Sequence, residues 1–335
     1  MEKILTVVMA AYNMEKYLSR SLGSIAAALD SSDDDLAGKL EVLVIDDGST
    51  DGTLEEAGRF VQRYPHTIRL IHKENKGYGS VINRALCEAR GLFFKLLDAD
   101  DEYDASGFKK LMHRLEHCTQ DAVVTPFIKD TGVRRIIKDD RSHLKAGAYD
   151  LDTLEMSGMI MMHSLTVRTE CLRKVSHRLP EKCLYTDTEF AAMALCGIDS
   201  VYVSHTPVYI HRLDRPGQSV DIRIMVGHYM EHERVIFRIC GLYVSIDERE
   251  TGKRDIIMSQ LLQMVFTQLK LYYLKSLSRL EFIKSRRFLV RLDKRVPGVI
   301  CCLMKKDPRV RFFVSKAAPV LYPFLHFCLR LRYRV

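Results

Sequence analysis

The apolar run Phe93-Phe94-Lys95-Leu96-Leu97 stops at Asp98-Ala99-Asp100-Asp101-Glu102, four acids in five positions. A short apolar run of this kind reads as a buried strand. Isolated carboxylates are costly to bury, so the acids belong where the strand leaves the core, at its C-terminal edge. In open α/β sheets that edge is where ligands bind. Clustered carboxylates repel unless a cation sits among them, and hard oxygen ligands suit Mg²⁺ or Mn²⁺. Taken alone, the motif reads equally well as a solvated acidic turn that caps the next helix.

The chain before it repeats the pattern. Ile4 to Ala11 is a strand-like run ending at Tyr12-Asn13, and residues 14–29 carry apolar positions at helical spacing. Ser31 to Lys39 reads as a loop. Leu40 to Ile45 is a second strand and ends at Asp46-Asp47-Gly48-Ser49, with a helix from Thr53, its expected cap. Ile68 to Ile71 is a third strand, followed by Asn75-Lys76-Gly77-Tyr78-Gly79-Ser80 and a helix to about Ala89. Strands alternating with helices imply a doubly wound, parallel sheet. Three strands then end in ligand-capable residues on one edge. Further on, Ala122 to Phe127, Val133 to Ile137, Ser200 to His205 and Val208 to His211 read as strands. Thr166 to Val175 and Tyr185 to Leu195 read as helices, and from Asp221 the chain is mainly helical.

An apolar share of 47% with 28% charged residues is that of a globular protein. The nine cysteines form no C-x-x-C and read as reduced thiols of a cytoplasmic protein. No run of 18 clean apolar residues marks a transmembrane helix. Charge is uneven: residues 276–335 hold 15 Lys and Arg against 3 Asp and Glu, whereas the first 275 hold 36 against 40. Basic residues interleaved with Phe, Tyr and Leu in the tail suit an anionic membrane surface. Pro319 and Pro323 should break any single long helix there. Nucleic acid is not an expected partner, because no binding motif accompanies the charge.

Gly77-x-Gly79 has Ile82 where a Rossmann fingerprint needs its third glycine, and it follows the third strand rather than the first. That disfavours a dinucleotide oxidoreductase. A Walker A loop and H-E-x-x-H are absent, and the histidines show no zinc spacing. His163 and His211 are candidates to approach the metal or acceptor, but read first as satisfied, partly buried side chains. Met156 to Met162 reads as core or pocket wall.

As a set, Val8 to Asn13, Ile45 to Thr53, Asn75 to Ser80, Leu97 to Asp101, Tyr185 to Phe190 and Arg212 through Gln218-Ser219 resemble the motifs of family 2 glycosyltransferases, in that family's order. The resemblance implies the GT-A fold: a Rossmann-like, doubly wound mixed sheet, followed here by a mainly helical C-terminal region. It divides the chain into a nucleotide-sugar-binding and catalytic domain over 1–220 and a basic helical region over 221–335. It implies that Ala10, Ala11 and Tyr12 flank the nucleobase and that Asp46 accepts a hydrogen bond from it, with uracil as the base. Gly77 and Gly79 would let the backbone pass close to the nucleotide, Asp98 would contact the ribose, and Asp100 would bind Mg²⁺ or Mn²⁺. Asp187 would be the catalytic base, and Arg212 and Arg215 the cations facing the diphosphate. Three departures stand out: Ala10 for the usual Pro, Thr186 for the usual Glu before the base, and Val81-Ile82-Asn83 where an Arg is common. Glu189, three residues after Thr186, is a rival base.

The implied activity is single displacement with inversion. A sugar would pass from a UDP-sugar to a hydroxyl of a glycan or lipid-linked acceptor, in bacterial surface polysaccharide or cell-wall polymer synthesis. The C-terminal region would hold the enzyme at the inner face of the cell membrane. A nucleotidyltransferase is the rival enzyme, but the Gly- and Lys-rich loop it needs after the first strand is Ala-Tyr-Asn-Met-Glu-Lys here. A non-catalytic nucleotide-sugar-binding scaffold is the rival outside enzymes.

Overall fold

Three adjacent parallel strands form the centre: β1 (Leu5–Ala11), β2 (Leu40–Asp46) and, on the other side of β1, β4 (Phe93–Asp98). Their Val, Leu, Ile and Phe side chains are buried on both faces, as a sheet covered by helices on both sides requires. A computed structural model describes residues 3–31, 35–154, 159–213, 217–218, 221–306, 310–315 and 318–333. It divides the chain into two units, Met1–Arg215 and Pro216–Val335.

In the first unit α1 (Glu15–Asp30), a short α2 (Leu36–Lys39), α3 (Thr53–Arg63), β3 (Ile68–His72) and α4 (Tyr78–Glu88) interleave with the central strands. Then follow β5 (Glu102–Tyr103), α5 (Ala105–Glu116), β6 (Ala122–Val124), β7 (Phe127–Asp130), β8 (Arg135–Lys138), β9 (Gly147–Asp150) and β10 (Leu165–Arg168). The unit closes with α6 (Thr169–Lys174), α7 (Thr186–Cys196), β11 (Ser200–Val203) and β12 (Tyr209–Arg212). The large sheet has eight strands in the order β3-β2-β1-β4-β10-β6-β11-β9, and the small one four, β5-β12-β7-β8. β10 runs antiparallel to both β4 and β6, and β9 antiparallel to β11, so the large sheet is mixed.

Several local expectations are corrected. The stretch from Thr166 was expected to be helical, but it begins as β10, paired with β4 and β6, before α6 starts at Thr169. Residues 36–39 form a helical turn inside the expected loop, capped by Asp35, which accepts from the Gly38 N–H. Thr53 is the first residue of α3 rather than its cap. The neighbouring Asp51 carboxylate accepts the Thr53 N–H at 3.0 Å.

The second unit is helical: α8 (Ile222–Gly227), α9 (Tyr229–Ser245), α10 (Thr251–Lys275), α11 (Arg279–Arg295), α12 (Val299–Lys306), α13 (Val310–Val314) and α14 (Ala318–Tyr333). α10 is its central helix and packs against α9, α11, α12 and α14. α14 continues through Pro323, contrary to the expected break. Its Tyr322 hydroxyl donates to the Ser276 carbonyl and its His326 Nδ1 meets the Tyr273 carbonyl, which fastens one face of the helix to the end of α10. Among the described residues, no helix is long and apolar enough to cross a membrane.

Candidate active site

Strand register lines up the ends of the central strands. Ala11 lies opposite Asp46, Ala10 opposite Asp98, and Asp46 opposite His72. The loop after β1 is tied to the loop after β2: the Asn13 N–H donates to Ser49 Oγ at 2.9 Å, and Asn13 Oδ1 accepts the Thr50 N–H at 2.8 Å. Asn13 takes a positive φ of 53° to do so. Tyr12 stays half exposed on this rim.

Asp46 is fully buried, its carboxylate accepting the Ser49 N–H at 3.2 Å and meeting His72 Nδ1 at 2.7 Å. The group exposed at that position is the His72 imidazole, which sequence reasoning missed. Its signal was its place at the end of β3, directly across from Asp46. Asp47 turns the other way. It accepts the N–H groups of Lys76 (3.0 Å) and Gly77 (2.7 Å) and pairs with Lys73, holding the glycine loop from beneath.

Gly77 (φ +82°) and Gly79 answer first to the protein's own packing. A Cβ on Gly77 would come within 2.9 Å of the Lys182 nitrogen, and one on Gly79 within 2.2 Å of the Pro180 carbonyl oxygen. The loop is thus pressed against the segment that leads into α7. The Lys182 N–H donates to the Lys76 carbonyl at 2.8 Å, and Asn83 exchanges two hydrogen bonds with the Leu179 backbone. That is the task of Asn83, in the helix where the family often has an Arg.

The acids after β4 converge. Carboxylate oxygens of Asp98, Asp100 and Asp101 all lie within 4.8 Å of one another. Asp98 accepts from the Tyr78 hydroxyl at 2.7 Å. Asp101 is buried and accepts from the Tyr209 hydroxyl at 2.6 Å and the Arg212 N–H at 2.7 Å. Burial, then the charges of Asp98 and Asp100, push the Asp101 carboxyl well above its usual range, while its two donors pull the other way. Burial and Asp98 likewise raise the Tyr78 hydroxyl far above the ordinary tyrosine range, with Asp187 and Asp101 adding to the effect.

Asp101 also belongs to a second group, in which ligand atoms of Asp101, His163 and His211 lie within 4.8 Å of one another. The two rings stack, centroids 4.4 Å apart. Burial holds both imidazoles neutral: His211 falls to about 4, and His163 goes well below its usual value. Contrary to the expectation of satisfied histidines, the Nδ1 of each is buried with no hydrogen-bond partner among the described residues.

Asp187 stands in the first turn of α7, half-buried, and burial raises its carboxyl above the usual range. α7 packs on α4 and on the turn Met162–Ser164. The residue before the helix, Tyr185, sits in the left-handed region at φ 66°, a position where a non-glycine residue is held by its surroundings. Glu189 is fully buried and meets His177 Nε2 at 2.6 Å, so the rival carboxylate faces the core. Arg212 lies against Glu102 (3.3 Å) and Asp130 (3.8 Å) and is mostly covered, so its guanidinium is bound to acids of its own fold rather than presented to a ligand. Arg215 and residues 156–158 of the Met-rich run lie outside the described residues.

Residues 6–172 match the family model described as Glycosyl transferase family 2. An uncharacterized glycosyltransferase of Mycoplasma pneumoniae is 26% identical over 222 residues, covering 64% of this chain and 70% of that one. The crystal structure of S. aureus TarS 1–349 in complex with UDP-GlcNAc has a similar fold, with TM-score 0.69 and 21% identity over 98% of this chain and 88% of that one. A mannosyltransferase from Pyrobaculum calidifontis, in complex with GDP-Man and Mn²⁺, is a more distant likeness, with TM-score 0.53 and 16% identity over 99% and 88% of the two chains. The chain is therefore a transferase on the GT-A fold, and it carries a family 2 glycosyltransferase domain.

Proposed function

We propose that the protein transfers a sugar from a UDP-sugar to a hydroxyl of a glycan or lipid-linked acceptor, with inversion, in the synthesis of a cell-surface polymer. The observation that carries this reading is the convergence of Asp98, Asp100 and Asp101 at the end of β4, beside a glycine loop onto which the helix of Asp187 is docked. The named ligands of the two structural neighbours, UDP-GlcNAc for one and GDP-Man with Mn²⁺ for the other, support a nucleotide-sugar donor and a divalent cation.

The residues at the corner fit such a cation. Three carboxylates share a small volume, and a neutral imidazole, His211, is buried beside them with an unpartnered ring nitrogen. Asp98, Asp100 and Asp101 would hold Mg²⁺ or Mn²⁺, with His211 as the nitrogen ligand that favours Mn²⁺. When bound, the cation would offset the charge that develops on the departing diphosphate. Tyr12 and His72, backed by Asp46, line the place for the base, and Asp98 the place for the ribose. Asp187 takes the proton of the acceptor hydroxyl as its oxygen attacks the anomeric carbon and the bond to the diphosphate breaks. A raised carboxyl suits that task, because it is a stronger base than an exposed one.

Peripheral attachment to an anionic membrane is part of the same reading. On α14, Val320, Phe324, Phe327 and Leu331 are all more than 60% exposed. At 3.6 residues per turn they fall within an arc of about 60°, on the side away from Tyr322 and His326. Each contributes about 1.5–3 kcal/mol on leaving water, in a region with 15 basic against 3 acidic residues.

The test is release of nucleoside diphosphate from a panel of nucleotide-sugars with and without Mn²⁺. Asp187→Asn should keep nucleotide binding and lose transfer. Asp100→Ala should lose metal-dependent nucleotide binding. Undiminished transfer by the first variant would refute the base, and tight metal-dependent binding by the second would refute the metal site. Co-sedimentation with anionic vesicles should fall in Phe324→Ser/Phe327→Ser, and an unchanged pellet would remove the membrane part alone.

A further inference from the structure

α5 ends in His113-Arg114-Leu115-Glu116-His117. Contrary to the expectation of no zinc spacing, this helix sets two histidines four residues apart, one turn above the other on one face. Ligand atoms of His113, Glu116 and His117 lie within 4.8 Å of one another, and the two rings meet edge to face at 5.6 Å. Both histidines are exposed, so their rotamers are free to close on an ion. Glu116 is held in place by Lys39 Nζ at 2.8 Å through Oε1, which leaves its second oxygen available. The neighbouring Arg114 is drawn aside, its guanidinium 4.4 Å from the Tyr202 ring. The three residues also stand in the last turn of α5 and its cap, where the helix dipole favours a cation.

We propose that His113, Glu116 and His117 form a binding site for a divalent transition metal of the Zn²⁺, Ni²⁺ or Cu²⁺ type. Two imidazoles and one carboxylate select these ions over Mg²⁺, which prefers an all-oxygen shell. Three protein ligands leave a position open for water or an outside ligand. The site rests on α5 alone and does not depend on the reading of the donor corner, which is built from different residues.

The experiment is a Zn²⁺ titration of the full chain by isothermal calorimetry, with millimolar Mg²⁺ present to occupy the oxygen ligands after β4. Losing an outer partner of a metal ligand already weakens binding about 10–100-fold. His113→Ala and His117→Ala should each therefore weaken one Zn²⁺ event by at least about tenfold, and His211→Ala should leave that event in place. Ni²⁺ in place of Zn²⁺ should follow the same pattern. If the double variant His113→Ala/His117→Ala takes up Zn²⁺ like the wild type, or if only His211→Ala loses it, the assignment is overturned. Because both histidines are exposed, the circular dichroism of the variants should match the wild type, which separates lost ligands from lost fold.

Discussion

Tyr209→Phe removes one oxygen and no packing volume from the acidic corner. The hydroxyl is fully buried; it donates to Asp101 at 2.6 Å and accepts the Asp98 N–H at 3.2 Å. A hydrogen bond to a charged group contributes about 1.5–3 kcal/mol, and a buried N–H left without a partner costs about 1–3 kcal/mol. The two losses share one atom, so we expect a total of about 2–4 kcal/mol. For a unit of this size each kcal/mol moves the melting temperature by about 2–4 °C, which gives a fall of roughly 4–16 °C by scanning calorimetry. The variant should also bind Mn²⁺ more weakly, and the deficit should grow as pH falls. The sign follows from Asp101. Burial, Asp98 and Asp100 raise its carboxyl, and the Tyr209 hydroxyl opposes them; without that donor, more proton must be displaced for a cation to bind. In the wild type without metal the same raised carboxyl acts in the opposite direction along the pH axis. A carboxyl raised in the folded state keeps its proton after the unfolded chain has lost it, so this group's contribution declines as pH rises through the folded value. Melting of Tyr209→Phe within 2 °C of the wild type, together with an unchanged Mn²⁺ titration, would refute the claim that this hydroxyl holds the corner.

Three further outcomes are expected. Lys95 is fully buried, donates to the carbonyls of His163 and Leu165, and is lowered by burial to about 7. An unfolded lysine titrates near 10.4, so the stability of the wild type relative to Lys95→Met should rise between about pH 7 and 10; a flat difference in melting temperature would mean that the two carbonyls keep the amine charged. Glu41→Ala should destabilise by about 3–5 kcal/mol in urea, because the buried carboxylate accepts from Thr6, the Arg90 N–H and Arg69. It sits at the opposite end of β2 from Asp46, so turnover below the melting range should be near that of the wild type. Gly77→Ala should cost more than about 1 kcal/mol and weaken nucleotide binding, since its φ of +82° and the Lys182 nitrogen both exclude a Cβ; wild-type melting and binding would show that the loop yields.

The parts of the site legible in the sequence are those encoded in one contiguous stretch. An apolar run that stops at acids reports a strand and its edge together, which is why Asp46, Asp98 and Asp100 were found where β2 and β4 end. β9 and β10 were not legible as strands, because Gly147–Asp150 shows no apolar alternation and Leu165–Arg168 runs directly into α6, so their pairing partners make them strands. The sequence left Glu189 as a rival to Asp187, and burial distinguishes them: Glu189 faces His177 in the core and Asp187 is half-buried in the first turn of α7. The deeper gap concerns the groups that set the acids' behaviour. Asp98 is held by Tyr78, 20 residues back, Asp101 by Tyr209, 108 residues on, and Asp46 by His72, 26 residues on. None of these partners repeats at a helix or strand period, and each reads as an ordinary core or edge residue until the topology brings it over. An acidic motif therefore announces a charge but not whether that charge is present at neutral pH. For Asp101 the answer lies in one tyrosine hydroxyl and one backbone N–H, set against burial and two neighbouring carboxylates. Changing the Tyr209 donor, with every acid kept, is the perturbation that should move the proposed metal dependence along the pH axis without removing it.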